Sequence, residues 1–411
     1  GPAASALGGR FLAGKEKALV IDIGGTTTDI ALIDQDQIRI REEGTTVGRY
    51  HTAVRAAHIH SIGLGGDSRI HFDLEDQLMI GPQRVKPLAY LADAHPEVLA
   101  SLERIRKTQP HRPNPQDLEY WYLIREPSRA VTNAWARQVL DMLRGGPQAL
   151  PTILEKLDVF HPLQFGGTAL LQEEIIGRSS LTPTDLLHVS GEFTPWSTEA
   201  ARIGTRLFAA YQGEEIADFI ERVIHKMVKR IARESISYLT GQTLEEAPYY
   251  VQPDDLGYWL FQENATSSDP YLGCRLSLKM PLVGIGAPAE IFLPRVADML
   301  HTEYLSPPHY QVANAVGAAA GIVVAIQEAW VIPQSRNQRT VGYYVQSGPD
   351  RQRFRTLKEA LDFAERITRE QALAQAQQIG IREPEIRQER LPDGAESYRI
   401  RARAVGSPEF N

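Results

Sequence analysis

The chain has 411 residues, of which 43% are apolar and 23% charged, and a net charge of −7. This length accommodates two or three domains with substantial cores, and the acidic balance argues against a nucleic acid or an anionic membrane surface as the main partner. The one cysteine, Cys274, excludes an internal disulfide and a thiolate metal cluster, and a reducing cytoplasm is the expected compartment.

Gly1 to Gly14 reads as a helix of small residues, with Ala3, Ala4, Ala6 and Leu7 leading to Phe11 and Leu12. It suits close packing against the stretch that follows, LVIDIGGTTTDIALI over Leu19–Ile33, around which the chain is organised. Two short β-branched runs, Leu19–Ile23 and Ile30–Ile33, flank a Gly-Gly-Thr-Thr-Thr turn and predict a hairpin. Gly24 and Gly25 permit backbone conformations closed to other residues, so that consecutive N–H groups can converge on an anion. The hydroxyls of Thr26, Thr27 and Thr28 add donors. Asp22 and Asp29 bracket the turn, where carboxylates hold a hydrated Mg²⁺ or orient a water. A phosphate with its metal fits this composition better than a turn that only reverses the chain.

Gln37–Arg41 is a third strand, Glu42–Arg49 a polar loop, and the segment from Tyr50 is compatible with a helix. Ser61–Phe72 then holds a second glycine-rich turn, Gly63-Leu-Gly65-Gly66-Asp67-Ser68, before a strand at Arg69–Phe72. This turn either faces the same ligand as Thr26–Thr28 or closes a hairpin of its own. His58 and His60 share a face only on a strand. Without matching carboxylates or cysteines, they and His71 read as surface or supporting residues rather than metal ligands.

From Pro82 to Gly213 prolines are frequent and helical patches alternate with loops, which indicates a helical insertion. Arg137–Leu143 is a short amphipathic helix. Leu181-Thr-Pro-Thr-Asp185 is a helix start capped by Thr182 or Thr184. Glu192–Trp196 is a loop and Thr198–Tyr211 helical. Glu215–Leu239 is the clearest helix, with Ile216, Phe219, Ile220, Val223, Ile224, Met227, Val228 and Ile231 at helical spacing. Asp67, Asp185 and Glu192 are candidates for acid–base work only because they sit in loops, and surface solvation is the favoured role for each.

Leu276–Ala289 carries a strand, Pro281–Val283, that runs into Gly284-Ile-Gly286-Ala287-Pro288. Cys274 sits at the start of this segment and, without a histidine partner, reads as a packing residue. Val312–Ile326 is the longest apolar run. It falls short of the roughly 18 residues a membrane span needs and reads as a buried helix, rich in small residues from Gln311 to Gly321. Beyond Ser335 the pattern is strand at Val341–Val345, helix at Leu357–Gln377 and strand at Ser397–Ala404. That is a small α+β unit with nothing catalytic in it.

The pattern D-I-G-G-T-T-T-D resembles the second phosphate loop of the actin-like ATPase superfamily, whose glycine amides hold nucleotide phosphates and whose aspartates work through Mg²⁺ and water. Taken with GPAASALGG before it, IGLGGDSRI after it, and VGIGAPAEIFLPR followed by NAVGAAAG, the chain resembles the hydantoinase A/5-oxoprolinase family over about residues 1–335. The resemblance implies an α/β actin-like (ribonuclease H-like) ATPase lobe with a largely helical insertion and a small C-terminal α+β unit. The implied divisions are 1–85 for the phosphate hairpin, 86–240 for the insertion, 241–335 for the rest of the lobe with an adenosine turn, and 336–411 for the small domain. It also implies ATP and Mg²⁺ as cofactors, with phosphorylation of a lactam or carbonyl oxygen ahead of C–N cleavage.

Carried over by position, Gly24, Gly25, Thr26, Thr27 and Thr28 would contact phosphates. Asp22 would bind Mg²⁺ and Asp22 and Asp29 would serve catalysis. Gly284, Gly286 and Ala287 would line the adenosine, and Gly65, Gly66, Asp67 and Ser68 would form a second polar loop near the cleft. Family members carry another Gly-Gly-Thr hairpin upstream, so an N-terminal lobe or partner subunit is expected beside a small cyclic amide or carbonyl substrate. A non-catalytic nucleotide-binding lobe or a regulatory ATPase subunit that needs a partner chain is the alternative.

Overall fold

The computed structural model describes residues 2–35, 37–41, 45–47, 50–52, 56–108, 114–244, 256–319, 323–336, 339–378, 381, 384–394 and 396–406. They form two compact units, Gly1–Asn314 and Ala315–Asn411.

The first unit is built on a mixed sheet. Its centre is the hairpin of β1 (Ala18–Ile23) and β2 (Thr28–Asp34), antiparallel with Ile23 opposite Thr28. β3 (Ile59–Ile62) pairs antiparallel with β2 on its outer side. On the other side a strand from far down the chain, Leu282–Ile285, runs parallel to β1 with Leu19 opposite Leu282 and Asp22 opposite Ile285. Alternation along β1 buries both faces. Leu19, Ile21 and Ile23 enter the large core that includes Phe219, Val223, Met227, Phe292 and Val296. Ala18 and Val20 face a smaller core with Val283, Ile285, Leu12 and Ala13. Helix α1 (Pro2–Ala13) covers that second side, and its small residues are needed there: a Cβ on Gly9 would stand 2.8 Å from Val20.

Strands β4 (Ser68–Phe72) and β5 (Leu78–Arg84) form a hairpin beside this sheet. Helices α2 (Pro183–Ser190), α3 (Thr198–Gln212), α4 (Ile216–Thr240) and α5 (Ala289–Met299) complete the main core. Thr182 caps α2 through a reciprocal bond with Asp185. The region from Pro82 to Gly213 is less purely helical than its proline-punctuated sequence predicts. It holds a four-stranded sheet in the order Lys86–Pro87, Ile176–Ser180, Tyr120–Leu123, Gln148–Ala149, with its own core around Trp121, Val139, Ile153 and Phe165.

Other expectations are also corrected. The segment expected to be helical from Tyr50 forms short strands where it is described, at Tyr50–Thr52, Ala56–Ala57 and β3; residues 42–44, 48–49 and 53–55 lie outside the described residues. β3 completes the open edge of β2, and that tertiary pairing overrides local propensity. The apolar run Val312–Ile326 is not one helix. A helix spans Ala313–Ala319 and a strand begins at Val323, where β-branched residues succeed the alanines. Cys274 is half-buried in an irregular stretch and not in a strand. A helix at Leu256–Thr266 occupies part of the stretch that the sequence leaves unassigned.

The second unit is a five-stranded antiparallel sheet in the order Asp350–Phe354, Arg339–Ser347, Val323–Arg336, Tyr398–Gly406, Glu385–Pro392. The helix Leu357–Gln378 packs on it through Ala360, Leu361 and Ala364 against Ala329, Val331, Val345 and Ile400. Among the described residues no helix is long and apolar enough to cross a membrane.

Candidate functional site

The loop between β1 and β2 is closed by a single backbone bond, Gly24 N–H donating to the Thr27 carbonyl at 2.9 Å. The N–H groups of Gly25, Thr26 and Thr27 make no hydrogen bond among the described residues. Thr26 is exposed, and its neighbours Gly25 and Thr27 are half-buried. Successive unpaired amides at a turn form a concavity suited to an anion. Thr28 is corrected: its side chain is fully buried and its hydroxyl donates to the Leu64 carbonyl at 2.7 Å, so it pins the hairpin instead of meeting a ligand.

The second glycine turn is a brace for the first. Gly66 N–H donates to the Gly24 carbonyl at 3.0 Å, and Asp67 N–H to the Gly25 carbonyl at 2.7 Å. Gly65 N–H donates to Ser68 Oγ at 2.9 Å. With these donors used internally and Gly65, Gly66 and Ser68 buried, that turn does not present the polar loop expected of it. The glycines serve close approach. A Cβ on Gly65 would fall 2.5 Å from the Gly24 carbonyl oxygen, and one on Gly66 2.8 Å from Thr184 Oγ1. Gly24, Gly25, Gly65 and Gly66 all have negative φ, so the expectation of unusual torsions at Gly24 and Gly25 is also corrected.

A third turn meets the first from the parallel strand. Gly286 has φ +89°, and a Cβ there would stand 2.2 Å from the Ile23 carbonyl oxygen and 2.7 Å from Asp22 Oδ1. Ala287 beside it is exposed. Gly284 is corrected: it is buried inside its strand beneath Tyr304 and Leu293, where no ligand reaches it.

Asp22 and Asp29 lie directly opposite each other in the hairpin register. Burial lifts the Asp22 carboxyl above the ordinary carboxylate range, a hydrogen bond with the Ser5 hydroxyl draws it back, and the charge of Asp29 lifts it further. Ser61 donates to Asp29 Oδ1, and Thr27 Oγ1 lies 3.5 Å from Asp29 Oδ2. Asp22 and Asp29 are the residues here that could hold a cation, and a hydrated Mg²⁺ needs few protein ligands. Among the described residues no group of three or more His, Cys, Asp or Glu could hold a metal by itself.

The remaining carboxylates are committed elsewhere. Asp67 Oδ2 accepts from Arg84 Nε at 3.2 Å and Nη2 at 3.0 Å. Asp185 is not a loop residue but fully buried, accepting from Leu88 N–H, Ala89 N–H, Thr182 N–H and Thr182 Oγ1, and burial pushes its carboxyl up to about 6. Glu192 is exposed just beyond α2. His60 pairs with Glu234 at 2.9 Å, and the rings of His58 and His60 both lie against Tyr238. Sequence reasoning missed Ser5, Ser61, Arg84 and Thr184. For Ser5 the available signal was its place in a small-residue helix next to the aspartate strand; the others carry none.

The fold and this site define an α/β protein whose central hairpin presents an open glycine–threonine turn beside paired carboxylates. Residues 1–95, which include the turn and its brace, match the hydantoinase/oxoprolinase family. No curated protein matches the chain in sequence. Similar solved structures include nucleotide-free acetone carboxylase, from work on ATP-dependent acetone carboxylation (12% identity, TM-score 0.48, covering 100% of this chain and 49% of that one). They also include the ATP-dependent caprolactamase from Pseudomonas jessenii (12% identity, TM-score 0.45, 98% and 49%) and MreB 5 of Spiroplasma citri bound to AMPPNP (11% identity, TM-score 0.22, 76% and 56%). The chain spans about half the length of the first two.

Proposed function

We propose that this chain is the phosphate-holding lobe of an ATP-dependent hydrolase of the hydantoinase/oxoprolinase type, which phosphorylates a lactam or carbonyl oxygen to activate C–N cleavage. The observation that carries this reading is the run of unpaired N–H groups at Gly25, Thr26 and Thr27, held next to the facing carboxylates Asp22 and Asp29. The match of residues 1–95 to the hydantoinase/oxoprolinase family supports it.

In this reading the three amides, with the Thr26 and Thr27 hydroxyls, donate to phosphate oxygens. Asp22 and Asp29 would hold Mg²⁺, which when bound neutralises phosphate charge during transfer. Ser5 and Ser61 keep the two carboxylates aimed into the turn. Gly286 and Ala287 leave room for the adenosine end of the nucleotide. An amide carbonyl is a poor electrophile; transfer of the γ-phosphoryl group from ATP to its oxygen, with release of ADP, activates the carbon so that water adds, the nitrogen leaves with a proton, and hydrolysis of the resulting acyl phosphate gives carboxylate and phosphate. A partner lobe and a cyclic amide or carbonyl substrate belong to the same proposal.

A second reading, a nucleotide-binding lobe without chemistry of its own, draws on the commitment of Asp67 to Arg84 and of Asp185 to a helix start. That leaves Asp22 and Asp29 as the acidic groups at the turn that pair with no cation among the described residues. Calorimetric titration with ATP·Mg²⁺ tests the shared core of both readings. Binding by the chain that is lost in Asp22→Ala supports it, and absence of binding by the unaltered chain overturns it. A lactam-stimulated release of phosphate would then select the first reading over the second.

A further inference from the structure

Asp67 places a carboxylate where a phosphate-binding turn should not tolerate one. Its Oδ2 lies 2.8 Å from the point a Cβ on Gly25 would occupy, beside the first residue of the run of unpaired amides. The backbone fixes it there, since Asp67 N–H donates to the Gly25 carbonyl at 2.7 Å and its own carbonyl accepts from Val85 N–H at 3.0 Å. A bare negative charge at this position would repel an incoming anion.

Arg84, the last residue of β5, covers that charge. Its Nε and Nη2 both donate to the same Asp67 oxygen, and its side chain remains 55% exposed. Nη1 takes no part in this pairing. Two residues on, the Lys86 ammonium rests 4.6 Å from the centre of the Tyr90 ring and has no carboxylate partner among the described residues. The charge of Asp67 beside Gly25 is therefore neutralised only while Arg84 is in place.

We propose that Arg84 sets the anion affinity of the Gly25–Thr27 turn by neutralising Asp67 and offering its outer N–H groups to the phosphate, with Asp67 as the opposing brake. This rests on the phosphate-binding reading above and adds a specificity-determining residue to it. A surface ion pair with only a structural role predicts something different, because such pairs add little to stability and nothing to ligand affinity.

The test is calorimetric titration of the full chain with pyrophosphate·Mg²⁺. Arg84→Ala should weaken binding by roughly tenfold, the scale of one unit charge at a solvent-accessible site. Asp67→Asn should bind at least as tightly as the unaltered chain, and Arg84→Ala combined with Asp67→Asn should recover most of the loss. The Arg84→Ala effect should be larger at about 0.01 M than at about 1 M ionic strength. Arg84→Ala binding within twofold of the unaltered chain would overturn the inference, as would a double variant as weak as Arg84→Ala alone. Failure of the unaltered chain to bind pyrophosphate is a separate result: it removes the phosphate-binding reading itself, and this inference with it.

Discussion

Gly65 is the position at which a single methyl group tests how the site is held together. A Cβ there would sit 2.5 Å from the Gly24 carbonyl oxygen and 2.7 Å from both the carbonyl carbon and oxygen of Gly25. All three are backbone atoms, so no side chain can swing aside, and Gly65→Ala must push the second turn off the first. Overpacking of this kind costs about 1–3 kcal/mol. The displacement also stretches the bonds from Gly66 and Asp67 N–H to the Gly24 and Gly25 carbonyls, each with a net value of about 1 kcal/mol. The expected destabilisation is about 2–4 kcal/mol. Gly273→Ala is the matched control, because a Cβ there meets nothing within 4 Å. Urea unfolding followed by far-ultraviolet circular dichroism would read both variants, and the control should stay within about 0.5 kcal/mol of the unaltered chain. A Gly65→Ala variant as stable as the control would refute the reasoning that these glycines exist for close approach.

Asp185→Ala should cost about 2–4 kcal/mol in the same assay, because it strands the buried N–H groups of Leu88 and Ala89. The carboxyl of Asp185 is raised in the folded chain, from an ordinary 3.8 up to about 6, so the folded state holds its proton more tightly than the unfolded state. The stability linked to that proton is complete below pH 3.8 and is lost as the pH rises through about 6. The Ala variant should lack this decline, which unfolding curves collected across that window would show. Ser5→Ala removes the one contact that lowers the Asp22 carboxyl, so the pH at which the turn begins to bind Mg²⁺ should move upward. A Mg²⁺ titration repeated at several pH values reads the shift, and an unchanged profile would mean that Ser5 only packs.

The hairpin was legible because Leu19–Ile23 and Ile30–Ile33 are short β-branched runs around a glycine-containing turn, and each strand depends mainly on its neighbour. The long helix α4 was legible for the same local reason, its apolar residues recurring at helical spacing. What the glycines do was not. Sequence shows that Gly25 and Gly65 lack a Cβ but not what lies against the empty position, and here it is another turn. β3 carries too little pattern in Ile59–Ile62 to announce a strand and exists because β2 offers it an edge. The sheet of the inserted region pairs Lys86–Pro87 with Ile176–Ser180, a contact made across a long stretch of intervening chain. Ser61 and Arg84 are invisible for the same reason: each acquires its role from a carboxylate that only folding brings near.

The central claim is that the N–H groups of Gly25, Thr26 and Thr27 receive phosphate, and amide hydrogen exchange resolved by residue tests it most directly. These three amides make no hydrogen bond among the described residues and should exchange fast in the free chain. On addition of ATP·Mg²⁺ all three should slow markedly, while Gly66 and Asp67, already bonded to Gly24 and Gly25, should change little. Exchange at Gly25–Thr27 that stays fast while nucleotide binds would place the phosphates elsewhere and contradict the account.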